Sequence, residues 1–147
     1  MKNIVLSAIA VPFMLGCAGA NMSALHRMSL AERQAWDSGS AIATKECDFA
    51  KGDKNLEKSK AVEGAKCNTR VVNEHILPYA VFPQLVTEWR QRQEHIAEQF
   101  QKGKISKAEA DKQSEKSMAL LKTEYDIQSA QVNSRARQAD QRNSAAM

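Results

Sequence analysis

The sequence predicts an all-α protein: a small helical bundle or pair of helical hairpins, held by one disulfide and ending in a long C-terminal helix. Apolar residues recur at steps of three and four along several segments, as one face of a helix requires. Two Ser-x-x-Glu runs, Ser29 to Glu32 and Ser106 to Glu109, have the form of capping boxes at helix starts. Two cysteines, Cys47 and Cys67, fall on successive predicted helices that would meet on folding back.

The first sixteen residues read as an export signal rather than as part of the fold. Met1-Lys2-Asn3 gives a basic start, Ile4 to Leu15 is a short apolar run, and Gly16-Cys17-Ala18-Gly19-Ala20 is a small-residue end. The apolar run is too short to cross a hydrocarbon core of about 30 Å, and Pro12 interrupts it. Met14-Leu15-Gly16-Cys17 resembles the lipobox of bacterial lipoproteins, in which the signal is cut just before an acylated cysteine. That resemblance implies lipid, palmitate included, on Cys17, and hence attachment to a membrane. Two or more acyl chains, at about 0.8 kcal/mol per buried CH₂, give a lasting anchor where one chain does not. Because Ala18 rather than Asp follows the cysteine, the resemblance implies the outer membrane, with the body facing the periplasm. The alternative is an ordinary secretory signal cut after Ala18-Gly19-Ala20, which would release a soluble periplasmic protein.

Residues 17–28 then form the lipidated N-terminus and a spacer without clear period, 29–140 a helical domain, and 141–147 a disordered tail. Within the domain, the first helix is predicted from Ser29 to about Ala50, with Trp36, Gly39, Ala43, Cys47 and Ala50 as its inner stripe. Lys51-Gly52-Asp53 is a turn. A second helix from Lys54 to Leu77 carries Ala61, Ala65, Thr69, Val72 and Ile76 inward. Folding it back brings Cys67 to Cys47, and in an oxidising compartment the two pair, contributing about 3 kcal/mol.

Ile76 to Val86 is the most apolar stretch after the signal, and Pro78 and Pro83 forbid one helix through it. It is either a corner tucked beneath the core or a docking patch; in the second case Tyr79, Val81, Phe82 and Leu85 are the candidate partner-binding residues. Pro83 suits a first helical turn. The stripe Leu85, Trp89, Ile96, Phe100 carries that helix to about Lys102, with Glu88–Arg92 and Glu98–Lys102 as i,i+4 pairs. Gly103 ends it, and Ser106 starts the last helix. Gly103-Lys104-Ile105-Ser106 with Glu109 is similar to short C-terminal hairpins of the SHOCT type, which implies a helix-turn-helix and no function. In the last helix Met118, Leu121, Tyr125, Val132, Ala136 and Ala139 stand near heptad spacing.

Charge and motifs narrow the function. Lys and Arg number 21 against 17 Asp and Glu, a net of +4. The two signs interleave through residues 88–124 without a basic stripe bearing aromatics, so no nucleic-acid partner is expected. There is no P-loop, HExxH, GxSxG or Gly-rich dinucleotide turn, so neither an enzyme nor a cofactor is expected. His95 and Glu98 lie one turn apart, but two ligands do not make a metal site, and Cys47 and Cys67 lack a CxxC spacing. The expectation is a non-catalytic envelope module with a protein partner. In general plan it is similar to small helical pilot lipoproteins that bring secretins to the outer membrane. The alternative is a spacer or lysis-type lipoprotein acting through a long, coiled-coil-like last helix.

Overall fold

The protein, seen in a computed structural model that describes residues 29–145, is all-α among those residues. The signal, Cys17 and the spacer lie outside the described residues. Five α-helices and one 3-10 turn follow in order: α1 (Leu30–Glu46), α2 (Lys54–Ser59), α3 (Ala61–His75), the 3-10 turn (Leu77–Tyr79), α4 (Pro83–Gln101) and α5 (Lys107–Ala145). Helices α1, α3, α4 and α5 run alternately up and down, each against the next.

α1 starts where expected, with the Ser29 hydroxyl accepting from the Glu32 amide at 3.1 Å. Only this half of the capping box forms, because the Glu32 carboxylate turns inward. The helix ends at Glu46 rather than near Ala50, and Cys47 is its C-cap. There the Asp48 side chain accepts from the Lys51 amide at 3.0 Å, so a side-chain turn replaces the next helical turn. The stripe of small residues works as a contact seam. A Cβ on Gly39 would lie 2.7 Å from Ile76 Cγ1, so α1 and α3 approach as closely as they do because this residue has no side chain.

The single helix expected over 54–77 is two. Asp53 caps α2 by accepting from the amides of Asn55 and Leu56. α3 starts afresh at Ala61, where the Val62 amide donates to Gln101 Oε1 at 2.9 Å. That partner comes from the end of α4, so the break is stabilised by a tertiary cap. Cys47 and Cys67 are bonded, with Cα atoms 5.6 Å apart, and staple α1 to α3.

α4 ends in a Schellman turn: the Lys104 amide donates to Gln99 O and the Gly103 amide to Phe100 O. Gly103 sits at φ 71°, which glycine adopts without a Cβ penalty. The Ser106 hydroxyl then caps α5 by accepting from the Glu109 amide, while the Glu109 carboxylate accepts from Gln113. Ile105 packs against a small cluster that includes Ala110, which closes a hydrophobic staple.

The main core joins Trp36, Val72, Ile76, Leu85, Val86, Trp89, Met118, Leu121 and Tyr125 from four helices. A second cluster, Ala61, Ala65, Ile96, Ala97, Phe100 and Ala110, fills the opposite end. α5 outruns both. Its 39 residues span about 58 Å, yet its last buried residue is Tyr125. The tail expected to be disordered from 141 is helical through Ala145. Val132, placed inward by the heptad reading, is 54% exposed because the body ends before it.

Candidate functional surface

At one end of the bundle, the start of α1, the apolar segment after α3 and the middle of α5 converge on Glu32. This carboxyl is fully buried. Its Oε1 accepts from the Tyr125 hydroxyl at 2.6 Å and from the Val81 amide at 3.2 Å. Burial raises the Glu32 pKa, against the lowering effect of those two hydrogen bonds. The Tyr125 hydroxyl is likewise held from ionising, by burial first and then by Glu32.

That junction divides the segment 76–86. Ile76, Leu85 and Val86 are buried in the core, and Leu77, Ala80 and Phe82 pack against it. The Phe82 ring stands edge-on to Tyr125, with centroids 5.1 Å apart. Tyr79 and Val81 are exposed instead, at 56% and 49%. Of the four residues named as partner-binding candidates, then, Tyr79 and Val81 offer surface, while Phe82 and Leu85 hold the turn in place. The Val81 amide is pinned to Glu32, so the exposed pair sits on fixed backbone.

The same end receives the chain and releases α5. Ser29 stands one turn before Glu32, and Gln84 at the start of α4 donates to Gln128 of α5 at 3.0 Å. Beyond that contact, residues 129–145 continue for about 25 Å. The chain thus enters the body beside the point where α5 leaves it.

Elsewhere the polar groups serve packing. Arg90 is buried and donates to Ala65 O at 2.9 Å and to Thr69 Oγ1 at 3.3 Å. Burial pushes its pKa down to about 10, with Glu94 opposing that shift. The Thr69 hydroxyl also contacts Glu94, completing a link between α3 and α4. The sequence reading passed over Arg90; its signal was that Val86, Arg90, Gln93 and Ala97 follow a helical line beside the stripe of Trp89. Arg92 reaches Ser117 and Glu124 on α5 rather than the expected Glu88. Arg92 also borders an open groove of about 680 Å³ between α4 and α5, with the buried Ile96 and the exposed Leu120 among its lining residues.

Glu98 pairs with Lys102 as expected, and His95 lies 3.5 Å from the Gln99 side chain. Among the described residues, no three side chains of His, Cys, Asp or Glu are grouped to hold a metal. Among them, too, no helix is long and apolar enough to cross a membrane. Compared with known protein families, curated proteins and solved structures, the chain matches none.

Proposed function

We propose that this chain is a lipid-anchored, non-catalytic interaction module of the bacterial envelope, a pilot-like lipoprotein held at the outer membrane and facing the periplasm. The observation that carries the reading is the fate of the three cysteines. Cys47 and Cys67 are joined, which suits an oxidising compartment, and the remaining one, Cys17, follows the apolar run and Gly16 in the lipobox-like segment. A partner protein would meet the exposed Tyr79 and Val81, whose rigid backbone lowers the ordering cost of binding. Affinity capture from crosslinked envelopes tests this with Tyr79→Ser and Val81→Asp, both at exposed positions. Loss of a specific protein band is the expected result. Undiminished recovery with both variants overturns the assignment of this turn.

A second reading, a spacer or lysis-type lipoprotein acting through the last helix, is favoured by the projection of α5 beyond the body. The two readings separate by deletion. A spacer loses its activity when residues 129–147 are removed and keeps it with Tyr79→Ser; the docking turn gives the reverse.

A further inference from the structure

We infer that Glu32 is a pH-sensitive latch: ionisation of its carboxyl lifts the turn 79–82 from the body and withdraws the rigid surface that Tyr79 and Val81 present. The backbone of this turn is bonded mostly to itself. Its Tyr79 and Ala80 amides donate to the carbonyls of Ile76 and Leu77, and the Phe82 carbonyl accepts from Leu85 and Val86, all close in sequence. The Val81 amide, by contrast, reaches across the fold, 49 positions back to Glu32 Oε1. Pro78 and Pro83 flank the turn and keep it from being absorbed into α3 or α4.

The carboxyl sits where a charge is poorly met. It is fully buried, and while Oε1 has two donors, Oε2 has no hydrogen-bond partner among the described residues. From α5 it meets the Tyr125 hydroxyl, a neutral donor. Residues 76–86 contain no Asp, Glu, Lys, Arg or His. On α1, Arg33 follows it in sequence, but the Arg33 Nε is buried without a bond and no ion pair joins the two. At the end of α3, Glu74 and His75 are exposed and face Arg70 and each other. The buried cation of α4, Arg90, donates to Ala65 and Thr69 instead. A neutral carboxyl leaves one hydroxyl unpaired in this site, whereas an ionised one leaves a charge there, a far larger cost that entering water relieves. Burial accordingly raises the Glu32 pKa. Water enters most easily where the backbone lacks helical bonds and already meets solvent, at Tyr79 and Val81. Protonated Glu32 therefore holds the turn closed, and ionised Glu32 opens it. The latch rests on the proposed docking role of the turn only for what it regulates, a partner affinity that falls with the competent fraction.

Hydrogen exchange read by NMR on the purified mature protein tests the latch without any partner, so its failure is distinct from failure of the docking reading. The Val81 amide is followed in wild type and Glu32→Gln as pH is raised, and the ratio of the two rates removes the intrinsic chemistry of exchange. That ratio, wild type over variant, should climb by up to about tenfold per pH unit above about 4.3 and level off once the buried carboxyl has ionised. Adding about 1 M urea should leave the Val81 rate unchanged while it speeds the amides of Trp89 and Ala97, which exchange through unfolding of the body. A flat ratio overturns the latch. So does a Val81 amide as sensitive to urea as those of α4, because the turn would then open only with the whole fold. If Glu32→Gln does not fold, the wild type decides by itself: the Glu32 carboxyl carbon and the Val81 amide should report one shared titration, and two unrelated titrations overturn the latch.

Discussion

The Tyr125 hydroxyl donates to Glu32 Oε1 at 2.6 Å and so ties the last helix to the first across 93 positions of sequence. The same oxygen holds the Val81 amide, and the exposed turn inherits its position from that carboxyl. Tyr125→Phe removes one of its two donors and should cost about 1–3 kcal/mol in urea unfolding.

Glu32 also gives the fold a pH dependence of defined sign. Its folded pKa is raised, chiefly by burial, so the native state binds the proton more tightly than the unfolded chain. The stability that Glu32 contributes is therefore fully present below the ordinary carboxylate value of about 4.3 and is lost as pH rises through the folded pKa. Glu32→Gln keeps an acceptor for Tyr125 and Val81 and carries no charge. In thermal melts the variant should gain on wild type as pH rises above the ordinary carboxylate value, and the gain should level off above the raised folded pKa. A parallel pH dependence of the two proteins would refute the assignment.

Gly39 provides a test in which two effects oppose. Helix propensity favours Gly39→Ala by about 1 kcal/mol. The new Cβ, however, would lie 2.7 Å and 2.8 Å from two carbons of Ile76, a core residue with 2% exposure. Overpacking of this kind costs about 1–3 kcal/mol, so a net loss of about 1 kcal/mol is expected by chemical denaturation. A stabilised variant would show that α1 and α3 are free to separate.

The disulfide should matter more than any single core contact at this end. Cys47→Ser/Cys67→Ser is expected to lose about 2–4 kcal/mol, read as a lower urea midpoint. Maleimide labelling of the denatured, unreduced protein should leave both cysteines unmodified.

Deleting residues 129–147 should change the stability of the body by less than about 1 kcal/mol, because no side chain beyond Tyr125 is buried among the described residues. A large drop in melting temperature would mean that the projection packs on the body in a way its exposure does not indicate.

The features legible in the sequence were those set by local spacing. Trp36, Ala43 and Cys47 on α1, and Leu85, Trp89, Ile96 and Phe100 on α4, are buried as their period required. The pairing of Cys47 with Cys67 followed once two such helices were folded back. What escaped were decisions made at a distance. The break before Ala61 depends on Gln101, 39 residues away from Val62. Glu32 has the pattern of a local cap, yet its carboxylate is recruited by Val81 and Tyr125. Arg90 was hidden because it is the backbone carbonyl of Ala65 and the hydroxyl of Thr69, on another helix, that accept from it and make its burial tolerable. At the surface, the same limit applied to Tyr79 and Phe82: composition marked the segment as apolar, but only the tertiary fold separates its anchoring rings from its exposed ones.

Anchoring is the central claim, and intact mass spectrometry of the mature protein from bacterial membranes, with Cys17→Ser beside it, tests it most directly. The account predicts a wild-type chain that begins at Cys17 and carries acyl chains, while the variant lacks them and leaves the membrane fraction. A wild-type chain that begins after Ala20, unacylated and soluble, would contradict it.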